Sequence, residues 1–335
     1  MEERMGMQVD SSGLLEPTEG VPGRSSLGGS GGVFPRDSHP VLVYLASLSP
    51  ESRRTMRSSL DMVAGFLSSG ESDSLSLDWS GLRYQHMAAI RAAVSEVYAP
   101  STANKILSAV KGVMKECSRL GYLSAEDLSR ACDVPSVKGS RAPKGRALSK
   151  EELRSVFHAC SVDDNRERGI RDYTILAIMY SSGLRRSELV ALNVGDYDPR
   201  IGALRVRSGK GNQDRTSPIN HSSCEAIDRW LSLRRDPTPD VPLFCPISKS
   251  GRLLDKRMTD QGVLYVLQRR AQEAGTETFT PHDLRRTFIG DLLDAGADIA
   301  TVQQLAGHAN VQTTARYDRR GEAAKRGAAA MLDLP

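Results

Sequence analysis

The sequence predicts a mainly α-helical protein with one small antiparallel β-sheet, an α+β chain in two domains. Three observations predict it. Apolar residues recur at helical spacing on both sides of the chain's middle, one pair of short strands flanks a glycine-rich turn, and an acid-free basic stretch separates a helical part from a mixed part. At 335 residues and 39% hydrophobic content there is room for two packed cores.

Residues 1–38 are rich in Gly, Ser and Pro without periodicity and are expected to be a disordered tail. A helical domain is expected over residues 39–133. Ser49 and Pro50 mark its first helix start, with Met56, Leu60, Val63 and Leu67 along one face; Leu82 to Tyr98 is a second helix. Ser101 reads as the cap of a third, where Ile106, Val110, Val113, Met114 and Cys117 recur until Gly121. Residues 134–147 read as a basic linker: Lys138, Arg141, Lys144 and Arg146, with Lys150 beyond, have no acid between them.

The second domain is expected over 148–320. The apolar stretch Tyr173 to Tyr180 reads as a buried helix ended by Gly183, and Arg185 stands where the next helix begins. Ala203 to Arg207 and Arg215 to Ile219 form a hairpin whose turn carries Lys210 between two glycines. That turn is not a nucleotide loop, because Leu204 stands where the phosphate-binding motif needs glycine and no Ser or Thr follows the lysine. Thr280 caps a helix with Pro281 and Asp283 in its first turn. Leu284, Phe288, Ile289 and Leu292 supply its apolar stripe, and His282 and Arg285 share a neighbouring face. After Gly296 a shorter helix runs from Asp298 to Ala306, Gly307 presents His308, and Asn310 caps a helix holding Val311, Thr314 and Tyr317.

Arg185, Lys210, His282, Arg285 and His308 thus precede one late tyrosine. Tyr173 and Tyr180 sit in apolar surroundings, whereas Tyr317 lies among Thr, Arg and Asp. Guanidinium groups are planar, permanently charged phosphate donors, and a free phenol, with pKa near ~10, must lose its proton as it attacks. The series has the parts that phosphoryl transfer through a tyrosine requires. His282 lacks companions at metal-ligand spacing, so no metal is expected.

With these motifs, Gly-Leu-Arg-x-Ser-Glu-Leu, Gly-Lys-Gly, His-x-Leu-Arg-Arg-Thr-Phe, Leu-Ala-Gly-His and Thr-Thr-x-x-Tyr in order, the chain resembles the tyrosine recombinase or phage-integrase family, strongly over Ala147 to Asp318. The resemblance implies a helical core-DNA-binding domain before a catalytic domain, and cleavage and rejoining of DNA without metal or nucleotide cofactor. Arg185 and Arg285 would bind the scissile phosphate, Tyr317 would attack to give a 3′-phosphotyrosyl link, and Lys210 would protonate the leaving 5′-oxygen. His282 would help take the tyrosine proton, His308 would donate to the phosphate, and Glu188 would buttress Arg185. Two departures, Asn212 and Gln213 where a second basic residue is common and Arg186 at a commonly small or apolar position, touch DNA contacts rather than chemistry.

The implied partner is double-stranded DNA with specific core sites. Arg53, Arg54, Arg57, Lys105, Lys111 and Lys115, with the linker's Lys138, Arg141, Lys144 and Arg146, are the candidate phosphate contacts. Residues 321–335, with Met331, Leu332 and Leu334, are expected to dock on a neighbouring protomer in a homo-tetramer, or a hetero-tetramer with related recombinases, on DNA. The biological role would be integration, excision or transposition of a mobile element, or resolution of DNA dimers, by the simpler two-domain branch of the family. A topoisomerase-like relaxing enzyme would not need two specific sites, and an architectural DNA-binding protein would have lost part of the filled catalytic set. No apolar run approaches a signal peptide or membrane span, and five dispersed cysteines suit a reducing cytoplasm, at the nucleoid.

Overall fold

The computed structural model describes residues 34–139, 145–207, 214–234 and 237–318, with the isolated positions 321, 326 and 329. Two compact units divide between Pro143 and Lys144. Arg141, Lys144 and Lys210, the tail as far as residue 33, and Met331, Leu332 and Leu334 lie outside the described residues. Among the described residues no helix is long and apolar enough to cross a membrane.

The N-terminal unit holds α1 (Pro40–Ala46), α2 (Pro50–Ser68), α3 (Tyr84–Val97), α4 (Pro100–Arg119) and α5 (Ala125–Cys132). The other four helices all pack on α4, which buries Ile106, Leu107, Val110, Val113, Met114 and Cys117. Tyr44 of α1 lies so close to Gly112 that a Cβ there would stand 2.4 Å from the ring, so α4 can meet α1 only through glycine. Ser101 is not the cap of α4: Pro100 takes the first helical position after Ala99, because its ring presets the helical φ and it lacks the N–H a cap would satisfy. Residues 34–38, read as tail, also pack. Phe34 is buried with its ring 4.8 Å from that of Tyr122 and 5.4 Å from that of His39, since one aromatic side chain buries enough apolar area to fix a short segment.

The stretch read as a linker is tied down at both ends. Asn104 donates to the Val137 carbonyl and accepts from its N–H, and Val134 is buried in the N-terminal core. On the far side the Arg146 N–H donates to Asp283 Oδ1 at 3.0 Å and the Leu148 N–H to Thr287 Oγ1 at 2.9 Å.

The C-terminal unit holds α6 (Lys150–Ser161), α7 (Arg166–Ser182) and α8 (Arg186–Ala191), then an antiparallel sheet of β1 (Tyr197–Asp198), β2 (Ala203–Val206) and β3 (Arg215–Pro218) in that order. Leu204 pairs with both Tyr197 and Ser217, and Val206 with Arg215. The remaining helices are α9 (His221–Ser232), α10 (Asp260–Glu273), α11 (Pro281–Asp294), α12 (Ile299–Ala306) and α13 (Val311–Ala315). Buried along much of its circumference, α7 packs against α6, α9 and α11.

Ion pairs fasten α7 to α10. Asp172, fully buried, accepts from Arg171 and Arg270, and Asp163 accepts a fork from Arg168 at 2.9 and 2.7 Å. Arg270, also fully buried, reaches Asp163 and Glu273 as well. Burial alone would raise the Asp163 pKa, but Arg168 and Arg270 hold the carboxyl well below the usual carboxylate range.

Candidate active site

Gly183 sets the geometry of the first arginine. It closes α7 at φ +59, and a Cβ on it would stand 2.4 Å from the Phe288 ring, so glycine is required for both conformation and contact. The chain then turns through buried Leu184 into α8, with Arg185 as the N-cap residue. Glu188, three residues on, accepts from the Arg185 N–H at 2.8 Å and from Arg185 Nη1 at 2.8 Å. Arg185 Nη2 donates to the Gly307 carbonyl at 2.9 Å.

Arg285 enters from α11, whose start is fixed by a reciprocal cap between Thr280 and Asp283 with Pro281 at the first position. Arg285 is 4% exposed and donates to the carbonyls of Gly183 and Ala306, with no carboxylate bond among the described residues. Burial, and then the neighbouring Arg185 charge, pull its pKa down to about 10, so it remains a cation at neutral pH. Carbonyl dipoles hold the group without neutralising it, and the positive charge is left for an anion.

Gly307 ends α12 in the left-handed region, and its neighbour His308 follows directly. His308 Nδ1 lies 2.9 Å from Thr314 Oγ1, a buried hydroxyl on α13. Burial first, then Arg285 and Arg185, push the His308 pKa down to about 4. Burial, then Arg286 and Arg285, also lower that of His282, so both imidazoles are neutral at neutral pH.

Tyr317 lies just beyond α13 rather than within it: the helix ends at Ala315, and the Tyr317 N–H closes a turn onto the Thr314 carbonyl at 2.9 Å. Three groups hold its ring. His282 Nε2 is 3.2 Å from the hydroxyl, the His308 ring stacks at 6.1 Å between centroids, and the Arg286 guanidinium lies 5.5 Å over the ring face. A neutral imidazole at that distance can accept a phenolic proton.

Arg185, Arg285, His282, His308 and Tyr317 therefore line one open cleft of about 530 Å³. Lys210 lies outside the described residues. Reading the sequence did not find Arg215. From β3 it forks onto Glu188, Nη1 to Oε1 at 2.9 Å and Nη2 to Oε2 at 2.8 Å. Burial would raise the Glu188 pKa, yet Arg215 and Arg185 bring it down to about 2. The available signal was alternation, since Arg215 and Ser217 share the less exposed face of β3.

Of the described basic candidates, Lys105, Lys115, Lys138, Arg53, Arg54 and Arg57 are exposed. Lys111, read as a phosphate contact, instead donates to the carbonyls of Cys132 and Val134 at 2.8 and 2.9 Å, where its ammonium meets the C-terminal end of α5. Arg146 is held by Glu152 at 2.7 Å and Glu277 at 3.1 Å, and Arg53 donates to the carbonyls of Leu48 and Ala46. Arg57 stands 3.9 Å from Asp61.

Residues 146–323 match the phage integrase family. The tyrosine recombinase XerC of Pseudomonas fluorescens is 31% identical over 281 residues, spanning 81% of this chain and 85% of the relative. That of Stutzerimonas stutzeri is 36% identical over 219 residues, 64% of this chain and 67% of the relative. Among solved structures, the Tn1549 transposon integrase in complex with a circular intermediate DNA covers 88% of this chain and 99% of its own at a TM-score of 0.65 and 17% identity. A lambda integrase dimer bound to a core site covers 85% and 94% at 0.61 and 14% identity, and both likenesses show the two-domain fold. The chain belongs to the phage integrase family, the tyrosine-type site-specific recombinases.

Proposed function

We propose that the protein breaks and rejoins duplex DNA at specific core sites through a covalent 3′-phosphotyrosyl intermediate. The observation that carries the reading is Tyr317 with its hydroxyl 3.2 Å from neutral His282, in the cleft lined by Arg185 and Arg285. The Tyr317 oxygen attacks phosphorus as its proton passes to His282 Nε2. The bond from phosphorus to the 5′-oxygen breaks, and Lys210 protonates that oxygen. Arg185 and Arg285 hold the non-bridging oxygens as charge develops, and His308 donates to the same phosphate. Attack by a new 5′-hydroxyl reverses the steps, so phosphodiester energy is retained in the phosphotyrosine and no metal or nucleotide enters.

The reaction serves a mobile element or the resolution of DNA dimers, in the cytoplasm at the nucleoid. Four protomers act on two sites, with residues 321–335 of each docking on its neighbour. Exposed Lys105 and Lys138 contact phosphates. The test is covalent trapping on nicked duplexes taken from the flanks of the protein's own gene. Wild type should give a protease-sensitive adduct at a 3′-phosphate and Tyr317→Phe none; an adduct that survives the substitution removes Tyr317 as nucleophile.

A further inference from the structure

Glu188 sits at the centre of a closed ring of contacts. Oε1 accepts from Arg185 Nη1 and Arg215 Nη1, and Oε2 accepts from the Arg185 N–H and Arg215 Nη2. A carboxylate has about four acceptor positions, so this one is filled. Arg185 uses only Nη1 on Glu188 and places Nη2 on the Gly307 carbonyl, which leaves the rest of its five N–H groups for the cleft it lines. Arg215 closes the ring from the other side. Its guanidinium lies against Gly307, where a Cβ would meet Cζ at 3.0 Å.

We infer that Arg215 is a positioning residue for strand cleavage: by filling half of Glu188 it prevents Arg185 from forking onto that carboxylate, and by lying on Gly307 it sets the turn that presents His308. Arginine prefers a bidentate grip on carboxylate. With Arg215 gone, two acceptor positions open beside Arg185, and its guanidinium turns to take both oxygens, away from Gly307 and the phosphate. Arg215 also ties three elements together, because β3, the start of α8 and the end of α12 all meet at Glu188 and Gly307. The role rests on the proposed cleavage reaction of the site.

The test uses the full chain as wild type, Arg215→Gln, Arg215→Lys, Glu188→Gln and the Arg215→Gln/Glu188→Gln pair. Single-turnover adduct formation on the nicked duplexes is measured at saturating protein, and half-saturation by gel shift. Arg215→Gln should slow the step by about 10²-fold, as a displaced catalytic group does, with half-saturation within about twofold of wild type. Arg215→Lys, a point charge unable to fork, should stay closer to Gln than to wild type. On the Glu188→Gln background the same change should matter by no more than about threefold, since coupled residues are not additive. A wild-type rate in Arg215→Gln, or an equal loss on both backgrounds, overturns the role. A crystal structure of Arg215→Gln without DNA keeps the two readings apart: Arg185 should fork both Glu188 oxygens and leave Gly307. An unmoved Arg185 defeats the inference even where wild type forms adducts; a wild type that forms none defeats the cleavage reading instead.

Discussion

The C-terminal unit contains two clusters of buried or half-buried arginines, and they are held in opposite ways. In the α7–α10 network, Arg168, Arg171, Arg269 and Arg270 face Asp163, Asp172 and Glu273, and both fully buried charges, Asp172 and Arg270, are paired directly. In the cleft, among the described residues, Arg185 and Arg215 share the single carboxylate of Glu188, and Arg285 rests on two carbonyls. The first arrangement consumes its charge in fastening helices. The second stores a surplus of positive charge around an open cleft, which is what an anionic transition state needs. An arginine's burial therefore says less about its role than how far neighbouring carboxylates balance its charge.

The sharpest way to break the comparison is to remove one member of each cluster. Arg285→Gln should lower single-turnover adduct formation on the order of 10³-fold, the scale of a lost electrostatic clamp, while the melting temperature moves less than in the network variant. Asp172→Asn should do the reverse, destabilising by about 3–5 kcal/mol in urea unfolding because Arg270 and Arg171 lose a buried counter-charge. If both variants lost stability alike and retained cleavage alike, the distinction between stored and consumed charge would be wrong.

Acid should separate the clusters by a smaller margin. His308 has a folded pKa of about 4 against an ordinary value near ~6.5, so between these limits the unfolded chain binds more protons. Its contribution to stability is fully present above the ordinary value and is lost as pH falls through the folded one. The Asp163 carboxyl, held far below its ordinary range, keeps its contribution to lower pH. The cleft should thus loosen before the network. Melting temperature followed from pH 7 to pH 4 should fall less steeply in His308→Gln than in wild type, and an unchanged slope would place the acid sensitivity elsewhere.

Much of the cleft was legible because its residues carry local signals. Gly183, Thr280, Asp283, Gly307 and Asn310 end or start helices by backbone rules that act over a few residues, and they deliver Arg185, His282, Arg285 and His308 to predictable positions. What was not legible depends on partners distant in the chain. Arg215 meets Glu188 across 27 positions and Arg270 meets Asp172 across 98, and an arginine's type and spacing alone suggest an exposed side chain. Lys111 looked free for phosphate for the same reason, since its carbonyl partners lie 21 and 23 positions on. The helix α13 is shorter than its pattern suggests, since Tyr317 falls at helical spacing from Thr314 yet occupies the turn that follows.

The finest test falls on Arg186, which lines the same cleft but belongs to neither cluster. Its Nε stands 3.4 Å from Asp260, with both side chains partly exposed, at 36% and 43%. A surface pair of this kind contributes about 0–1 kcal/mol, so Arg186→Ala should barely change unfolding. Adjacent to Arg185 in sequence and as accessible as it is, Arg186 pairs, among the described residues, with a part-exposed carboxylate and with no carbonyl, so its charge is partly screened and not directed. Adduct formation should then stay within about tenfold of wild type, the range of a change that alters a DNA contact and leaves the clamp in place. A loss approaching that of Arg285→Gln would make Arg186 a third clamp, and would mean that position in the cleft, rather than the way the guanidinium is held, decides which arginines act on the phosphate.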